Sequence, residues 1–384
     1  MSNLRIWGRD IDQNTMLQVE MTARLSILKN HPVALMPDAH LGTGATVGSV
    51  IATENAIVPA AVGVDLGCGM VAVETDLKAS DLPDDLQPLV HQFSRSIPAG
   101  VGRRRNRGQS IGLEDKYAVR EVADWMLKNP CDLGGLKTTA FSQLGTLGSG
   151  NHFVEVCLDE NDIVWTVLHS GSRGVGNQLA NKHIKLAKKQ ELALEDKDLA
   201  YFLEGTNEFK NYISDMLWAQ KYALKNRMIM MSIALMNLFQ FVGKGKVMME
   251  INCHHNFAQQ ELHDGKLLWI TRKGAIKADK GDFGVIPGSM GTKSYIVQGL
   301  GNPDSYNSAS HGAGRRMSRG QAKRELTQES LNVAMEGKAW NNDAKGLLDE
   351  HPAAYKDIDQ VMEDQKDLVE ILHVLHQVAN YKGS

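Results

Sequence analysis

Residues 33–73 read VALMPDAHLGTGATVGSVIATENAIVPAAVGVDLGCGMVAV, and their short apolar runs broken by glycine give the strongest indication of the fold. Runs of this length and composition predict β-strands, and the intervening glycines predict tight connections between them. Similar β-type runs recur at residues 163–168, 247–251 and 267–272. The chain is therefore expected to build its centre from β-sheet.

Long helical patterns flank these predicted strands. They occupy residues 177–203 and 211–242, and a further helix-like segment covers residues 357–378. Met and Leu occur on more than one face of the second segment, which predicts a buried helix. No Pro- or Ser-rich linker and no repeat of fixed period divides the sequence. We expect an α+β fold in one compact mixed domain over residues 1–384, with central β-sheets flanked by helices.

Composition narrows the class of protein. The chain has 384 residues, of which 42% are hydrophobic and 23% charged, as in a globular soluble protein. No apolar run is long enough to span a membrane, and the N-terminal residues lack the apolar core of a signal peptide. Cys68, Cys131, Cys157 and Cys253 show no paired spacing, which favours free thiols in a reducing compartment. We expect a cytoplasmic protein with no membrane association.

The distribution of charge is more informative than the formal net charge of −3. Three basic clusters contain glycine within or beside them: Arg103, Arg104, Arg105 and Arg107; Arg272, Lys273, Lys277 and Lys280; and Arg315, Arg316, Arg319, Lys323 and Arg324. A run of charge is often only a solvated surface. Glycine in all three clusters instead favours contact with an anion such as nucleic-acid phosphate.

One histidine lies in a glycine-rich turn directly before two arginines. Residues 308–316 read SASHGAGRR, which places His311 beside Arg315 and Arg316. Glycines around a reactive side chain permit close approach of a ligand, and guanidinium groups bind phosphate in a forked grip. The segment is a candidate phosphate-handling site.

Five polar segments occur at predicted strand ends or glycine turns. They are MPDAHLGTG at residues 36–44, VGVDLGCGM at 62–70, LGSGNHFVE at 147–155, VLHSGSRG at 167–174 and EINCHHN at 250–256. Segments of this kind converge readily in a compact fold, and active sites are commonly assembled from them.

The same segments supply a mixed set of possible metal ligands, namely Asp65, Cys68, His152, His169 and His255. Carboxylate with imidazole suits Mn²⁺, Fe²⁺ or Zn²⁺, and a thiolate shifts the preference towards softer ions. The set is too large for one structural zinc and fits two neighbouring metals that share a ligand.

Any single histidine is more often a hydrogen-bonded core or surface residue than a ligand. We assign that ordinary role to six histidines outside the set: His91, His183, His263, His351, His373 and His376. His40 is evenly balanced between the two roles, and His254 is expected to be a neighbour of the site. The glycine-rich segment IPGSMGTKS at residues 286–294 is compatible with two roles, a loop that wraps around a nucleotide and a tight turn. Its pattern does not distinguish them.

Taken together, these segments resemble the RtcB family of RNA ligases. The resemblance runs from about Pro37 to Gly383 and is carried by seven motifs in the family's order: MPDAHLG, VGVDLGCG, LGSGNHFVE, LHSGSRG, CHHN, IPGSMG and SHGAGR. It implies a ligase that depends on GTP and Mn²⁺ and joins RNA 3′-phosphate or 2′,3′-cyclic phosphate ends to 5′-hydroxyl ends. RNA repair or splicing, including tRNA splicing, is the implied setting.

The resemblance also implies roles for individual residues. His311 resembles the histidine that becomes guanylylated. Two Mn²⁺ ions per chain are implied, one held by Asp65, Cys68 and His152 and the other by Cys68, His169 and His255. The guanine nucleotide would be bound by Asn151, His152, Phe153, Val154, Glu155, His255, Asn256, Pro287, Gly288, Ser289, Met290, Ser294, His311, Gly312, Ala313, Gly314 and Lys382. Arg173, Lys273 and Arg315 match basic positions that contact phosphate or RNA.

Three other functions use overlapping parts of this site. An end-capping enzyme would stop after guanylylating a nucleic-acid 3′-phosphate, and only its product would distinguish it from a ligase. A two-metal phosphodiesterase would keep its activity in His311→Ala, whereas a ligase would lose it. A catalytically silent RNA-binding protein would have no turnover for Cys68→Ala to remove. The physiological RNA and any activating protein partner are not indicated by the sequence.

Overall fold

The centre of the molecule is an eight-stranded β-sheet whose two edge strands approach each other. The computed structural model describes residues 3–100, 113–129, 131, 134–190 and 192–383, so the basic cluster at residues 103–107 lies outside the described residues. The strands are β1 (Leu4–Ile6), β2 (Val33–His40), β3 (Val47–Thr53), β4 (Ala56–Ile57), β5 (Gly69–Lys78), β6 (Phe153–Leu158), β7 (Ile163–Ser170), β8 (Phe202–Leu203), β9 (Val247–His254), β10 (Asn256–His263), β11 (Lys266–Lys273), β12 (Ala275–Lys277), β13 (Phe283–Pro287), β14 (Lys293–Gly299), β15 (Ser308–Ser310), β16 (Ala339–Trp340) and β17 (Val369–Lys382).

Seven strands of the large sheet follow the order β13-β14-β17-β6-β7-β5-β9, and β16 pairs with β17. Cα atoms of the edge strands β9 and β13 come within 8 Å of each other, so the sheet nearly closes on itself. Successive side chains along each strand point to opposite faces of this sheet, and both faces are apolar. Met70 and Ala72 of β5 pack inside the curved sheet with Trp165. Val71 and Val73 face the opposite way, towards the helices.

A second sheet and two short ribbons complete the β-structure. The second sheet has the order β1-β2-β3-β11-β10, and the ribbons pair β4 with β8 and β12 with β15. In the second ribbon Ala275 lies opposite Ser310, while the Ala275 amide donates to the His255 carbonyl at 3.1 Å. This pairing places the segment that follows β15 beside the segment that follows β9.

Among the described residues, ten α-helices surround the sheets, and two of them, residues 87–96 and 207–242, pack on strands of the large sheet. The ten helices are α1 (Gln13–Ala23), α2 (Pro59–Val62), α3 (Gln87–Ser96), α4 (Leu113–Lys128), α5 (Lys137–Gln143), α6 (Arg173–Ala187), α7 (Asn207–Val242), α8 (Arg319–Glu325), α9 (Gln328–Ala334) and α10 (Ile358–Asp364). Thr206 caps the start of α7, and Gly243 ends it in the left-handed conformation. Within the described part of the chain, no helix is both long and apolar enough to cross a membrane. The predicted α+β fold class is confirmed.

Two predicted helices are wrong in part. The helix expected at residues 177–203 begins earlier, at Arg173, and ends at Ala187. Beyond it an ion pair between Lys188 and Asp198 holds the chain as it turns back, and residues 202–203 form β8. Burying Leu199 and Phe202 against the core outweighs the local helical preference of this segment.

The helix expected at residues 357–378 is the larger error. Only its first part is helical, as α10, and residues from Val369 onwards form β17. This strand pairs with β14 on one side and β6 on the other. The apolar spacing of Leu368, Leu372 and Leu375 fits a helix, but the two neighbouring strands satisfy the backbone of a strand.

Candidate active site

The register of the large sheet brings the candidate metal ligands to one end of it. Gly69, at the start of β5, pairs with Ser170 at the end of β7 and with His254 at the end of β9. Phe153, at the start of β6, pairs with His169. The residues next to these positions are Cys68, His152 and His255, so antiparallel pairing alone puts them at a common edge.

Their side chains converge there. The Cys68 Sγ lies 3.4 Å from His152 Nε2 and 3.3 Å from His169 Nε2, and the three atoms lie within 4.8 Å of one another. His152 Nε2 is also 3.2 Å from Asp65 Oδ2, and His169 Nε2 is 2.8 Å from His255 Nε2. The five predicted ligands therefore form one chain of close contacts, and their division between two metals stays a prediction.

Surrounding groups orient these side chains. The His169 Nδ1 lies 3.0 Å from the Asn151 carbonyl, so it carries the proton and leaves Nε2 as the lone-pair nitrogen. The backbone amide of Ser172 donates to Asp65 Oδ1 at 3.2 Å. A β-carbon at Gly171 would lie only 2.2 Å from the same oxygen, so this approach requires glycine.

The chemistry of the donor set fits a metal. Burial lowers the pKa of His169 and of His255 well below the usual value, so both imidazoles are neutral and offer lone pairs. Burial raises the pKa of the Cys68 thiol, so a bound cation would be needed to favour the thiolate. A buried, neutral imidazole nitrogen without a strong partner is otherwise costly, because it has lost its hydrogen bond to water.

A cavity of about 310 Å³ opens beside the cluster. This volume is within the range of small-molecule sites. Most of the residues expected to bind a nucleotide line it, namely Asn151, Phe153, Glu155, His255, Asn256, Pro287, Gly288, Ser289, Met290, His311, Gly312, Ala313, Gly314 and Lys382. Residues from five separate segments are therefore brought together around one space.

Three residues expected in this set do not line the cavity. The Val154 side chain points to the other face of β6 and packs in the helical core. Ser294 is fully buried in β14, and its Oγ has no hydrogen-bond partner within the described part of the protein. His152 lines a neighbouring cleft of about 520 Å³, together with Asp65 and Arg173.

His311 lies where the cavity meets the cluster. Its ring centroid is 4.7 Å from that of His255, and its Nδ1 is 2.6 Å from Asp38 Oδ2. The His311 backbone amide donates to the same carboxylate oxygen at 3.1 Å. Asp38 appears in a motif quoted above, but nothing in the sequence pairs it with His311.

The cavity is also lined by part of a buried charged network that the sequence analysis does not identify. Lys382 Nζ lies 3.2 Å from Glu350 Oε2 and 5.2 Å from the centre of the Phe153 ring. Glu155 accepts a hydrogen bond from Asn380 Nδ2 at 2.7 Å, while its Oε2 has no described partner. Burial raises the pKa of Glu155 to about 8.

The three basic residues expected to touch phosphate are largely occupied within the protein. Lys273 Nζ donates to the carbonyls of Thr43 at 2.5 Å and Ala60 at 2.9 Å. Arg173 Nε donates to Thr146 Oγ1 at 3.1 Å. Arg315 donates to the following groups: the Met317 and Asp349 carbonyls, the Tyr355 hydroxyl and the Glu350 carboxylate. Their phosphate contacts remain predictions.

The other basic residues and histidines have mainly structural partners. Arg319 pairs with Asp349 at 2.8 Å and with Glu350. His40, for which the sequence left a ligand role and an ordinary role equally open, lines the cavity. Burial lowers its pKa to about 4. Histidines that were assigned an ordinary role have hydrogen-bond partners within the protein. Four such pairs are His183 with Asp215, His263 with Glu261, His351 with Ser330, and His373 with Glu160.

The fold and site together define an α+β protein with a thiol, imidazole and carboxylate cluster beside a cavity of small-molecule size. A family model described as "tRNA-splicing ligase RtcB" matches residues 18–383. The chain belongs to the RtcB family of RNA ligases. It is 46% identical to RNA-splicing ligase RtcB1 of Escherichia coli ATCC 25922 and 45% identical to RNA-splicing ligase RtcB of Escherichia coli K12, each over 99% of this chain and 97% of the relative. It is 30% identical to tRNA-splicing ligase RtcB of Nanoarchaeum equitans over 91% of this chain and 87% of the relative.

Proposed function

We propose that the protein is a GTP- and Mn²⁺-dependent RNA ligase that joins 3′-phosphate or 2′,3′-cyclic phosphate ends to 5′-hydroxyl ends. Membership of the RtcB family and the ligase names of the relatives support RNA as the substrate. The cavity beside the cluster supports a bound nucleotide, because its volume and mixed polar and aromatic lining suit one. A role in RNA repair or splicing in the cytoplasm follows from the same proposal.

Two divalent metals would be held by the two groups that share Cys68. Asp65, Cys68 and His152 would bind one, and Cys68, His169 and His255 the other. When bound, the metals neutralise negative charge on reacting phosphate groups. The donor set accepts Zn²⁺ or Co²⁺ as well as Mn²⁺, so the choice of Mn²⁺ rests on the family.

The observation that carries the proposal is the arrangement of His311. Asp38 holds the proton on Nδ1, so the lone pair lies on Nε2, and a neutral imidazole is a competent nucleophile at pH 7. His311 is partly exposed at the cavity, with 16% of its side chain accessible, whereas Asp38 is fully buried. The buried carboxylate also stabilises the positive charge that the ring acquires when Nε2 forms a bond.

The reaction then follows in three transfers. His311 Nε2 attacks the α-phosphorus of GTP, a P–N bond forms, and the bond to the β-phosphate oxygen breaks to release pyrophosphate. An oxygen of the RNA 3′-phosphate displaces His311 and takes the GMP group. The RNA 5′-hydroxyl attacks the activated 3′-phosphorus, which releases GMP and a proton as the phosphodiester forms. A cyclic phosphate is first opened by water.

Incubation with α-³²P-labelled GTP and Mn²⁺, followed by a denaturing gel, tests the first transfer. The wild-type protein should carry an acid-labile, alkali-stable label, and His311→Ala should carry none. His376→Ala is the matched control, because His376 is exposed and outside the described lining of the cavity. A folded, metal-bound wild type without label would rule out nucleotidyl transfer and favour a two-metal phosphodiesterase.

Product analysis with an RNA bearing a 3′-phosphate separates ligation from end capping. A sealed phosphodiester with a 5′-hydroxyl partner is the expected product. Accumulation of RNA ending in a guanylate, with no sealed product, would identify an end-capping enzyme that uses the same residues.

A further inference from the structure

A fully buried arginine on the long helix α7 lies directly behind the metal-capable cluster. Arg227 Nη1 donates to the Gly67 carbonyl at 2.7 Å and to the Ser170 carbonyl at 3.1 Å. Its Nε and Nη2 donate to Asn252 Oδ1 at 3.2 and 3.0 Å. Nη2 also lies 3.2 Å from His254 Nδ1. One guanidinium thus connects three separate segments.

Each of these segments carries a candidate ligand next to the point of contact. Gly67 precedes Cys68, Ser170 follows His169, and His254 precedes His255. The guanidinium is a rigid planar fork, so it sets the distances between groups that bind its different nitrogens. Arg227 therefore controls how closely the backbones beneath Cys68, His169 and His255 approach.

The setting of Arg227 differs from that of an ordinary buried arginine. Arg272, also fully buried, pairs with the Glu261 carboxylate. Arg227 forms no ion pair with the described residues, and its partners are neutral carbonyl, amide and imidazole groups. Burial lowers its pKa to about 10, which leaves it charged at neutral pH. A buried cation without a carboxylate partner is costly to fold and needs a compensating role.

The preceding residue on α7 extends the same arrangement to the fourth segment. Asn226 Oδ1 accepts a hydrogen bond from the Gly145 amide at 2.7 Å, and its Nδ2 donates to the Thr146 carbonyl at 3.2 Å. Gly145 and Thr146 belong to the loop that leads to His152. Two consecutive helix residues thus contact every strand end and loop that supplies a histidine or the cysteine to the cluster.

We infer that Arg227, assisted by Asn226, is a positioning residue that holds the ligands of the metal centre in a binding-ready arrangement before the metal arrives. It acts through the backbone of its neighbours and touches neither substrate nor metal. The inference rests on the proposed function, since it takes the cluster to be a metal centre.

Titration of the metal-free protein with Co²⁺ tests this role without measuring catalysis. Co²⁺ bound by thiolate and imidazole gives a thiolate charge-transfer band and visible d–d bands that report ligand geometry. Arg227→Lys keeps the charge and loses the fork. It should bind Co²⁺ about 10- to 100-fold more weakly than the wild type, with altered bands, as for other residues that orient ligands.

Met230→Ala is the matched control. Met230 is fully buried on the same helix, three residues further along, and packs in the apolar core, where its side chain donates no hydrogen bond to the ligand segments. It should lower the melting temperature while the Co²⁺ affinity and spectrum stay as in the wild type. Asn252→Ala provides a second, milder variant, because it removes the acceptor of two guanidinium bonds at a half-buried position. Its expected loss of Co²⁺ affinity is several-fold.

The outcomes separate this inference from the proposed function. A wild type that gives no thiolate band would overturn the metal centre itself. A wild type that binds normally, with Asn252→Ala and any folded Arg227→Lys indistinguishable from Met230→Ala, would overturn the positioning role alone. Should Arg227→Lys not fold, Asn252→Ala decides between the two results.

Discussion

His311 depends on a carboxylate that is 273 residues away in the sequence. Asp38 Oδ2 lies 2.6 Å from His311 Nδ1, and the Asp38 side chain is completely buried. A buried carboxylate in this position selects one tautomer of the ring, because it binds a protonated Nδ1 and repels a lone pair. In the proposed reaction, the attacking nitrogen is thereby Nε2.

Asp38→Asn should slow histidine labelling. The asparagine amide can donate to Nδ1, which favours the tautomer with its proton on Nε2 and removes the nucleophile. We expect the rate of label transfer from α-³²P-GTP to fall about 10²- to 10⁴-fold, as when a catalytic base or its orienting group is lost. Asp304→Asn, at an exposed ion pair with Arg5, is the control and should label normally. Equal rates in both variants would mean that Asp38 does not set the tautomer.

Glu155 is the second residue whose surroundings change its chemistry. Burial raises its pKa to about 8, against the opposing effects of Lys382 and the hydrogen bond from Asn380. The folded protein therefore binds one more proton than the unfolded chain between the ordinary value of 4.5 and about 8. The free energy of unfolding must fall as pH rises through that window, because the unfolded state then binds fewer protons.

Glu155→Gln should remove this pH dependence from the ligand-free protein. The stabilising contribution of protonated Glu155 is fully present below pH 4.5 and is lost as pH rises through about 8. The free energy of unfolding of the wild type, relative to Glu155→Gln, should drop by on the order of a few kcal/mol between pH 5 and pH 8. Urea unfolding at several pH values measures it. Glu370→Gln, at an exposed position, should follow the wild type, and a constant difference between wild type and Glu155→Gln would contradict the prediction.

At the scale of elements, the last strand shows how tertiary contacts override a local pattern. Strand β17 lies between β14 and β6, and it carries Gln377, Asn380 and Lys382 to the cavity and its network. Its apolar residues fit helical spacing in the sequence, which led to the wrong prediction of a helix. In the structure Leu375 is fully buried inside the curved sheet, whereas Ile371 of the same strand is 45% exposed.

Leu375→Ala and Ile371→Ala therefore form a matched pair. The first leaves a cavity inside the sheet and should lower the free energy of unfolding by about 2–5 kcal/mol. The second removes apolar atoms that are half accessible to water and should cost less than about 1 kcal/mol. Chemical denaturation of both variants measures the difference. If residues 369–378 were helical, Leu375→Ala would not lower the free energy of unfolding by more than Ile371→Ala.

At the scale of the whole molecule, the site exists because a nearly closed sheet collects its strand ends. Cys68, His169 and His255 come from β-segments separated by up to 187 residues, and the closest approach of their nitrogens is 2.8 Å. A ligand that connects these segments binds the folded state and has no equivalent site in the unfolded chain. It must therefore stabilise the fold.

Adding Mn²⁺ to the metal-free protein should raise its melting temperature. At a concentration 100 times the dissociation constant the stabilisation is about 2.7 kcal/mol, which corresponds to about 3 °C for a chain of this length. Scanning fluorimetry with and without the metal measures the shift. Cys68→Ala removes the shared ligand and should show almost no shift, so equal shifts in the two proteins would place metal binding elsewhere.

The sequence was most reliable where a motif has its own chemistry. The RtcB resemblance is confirmed by the comparisons, and the side chains predicted to bind metal lie close together, although their metal binding stays a prediction. It was least reliable where a residue acts through distant partners. Arg227, Glu350 and Asp38 receive their roles from contacts across the fold, and no spacing pattern records such contacts.

By itself the sequence determined the family and the α+β class and predicted the candidate metal and phosphate residues, because side-chain chemistry and short-range patterns carry that information. Only the tertiary structure decided which carboxylate orients His311, that the C-terminal segment is a strand, and that Arg315 is already bound within the protein. These outcomes depend on pairings between residues far apart in the chain, and the energy of such pairings appears only when the chain is folded.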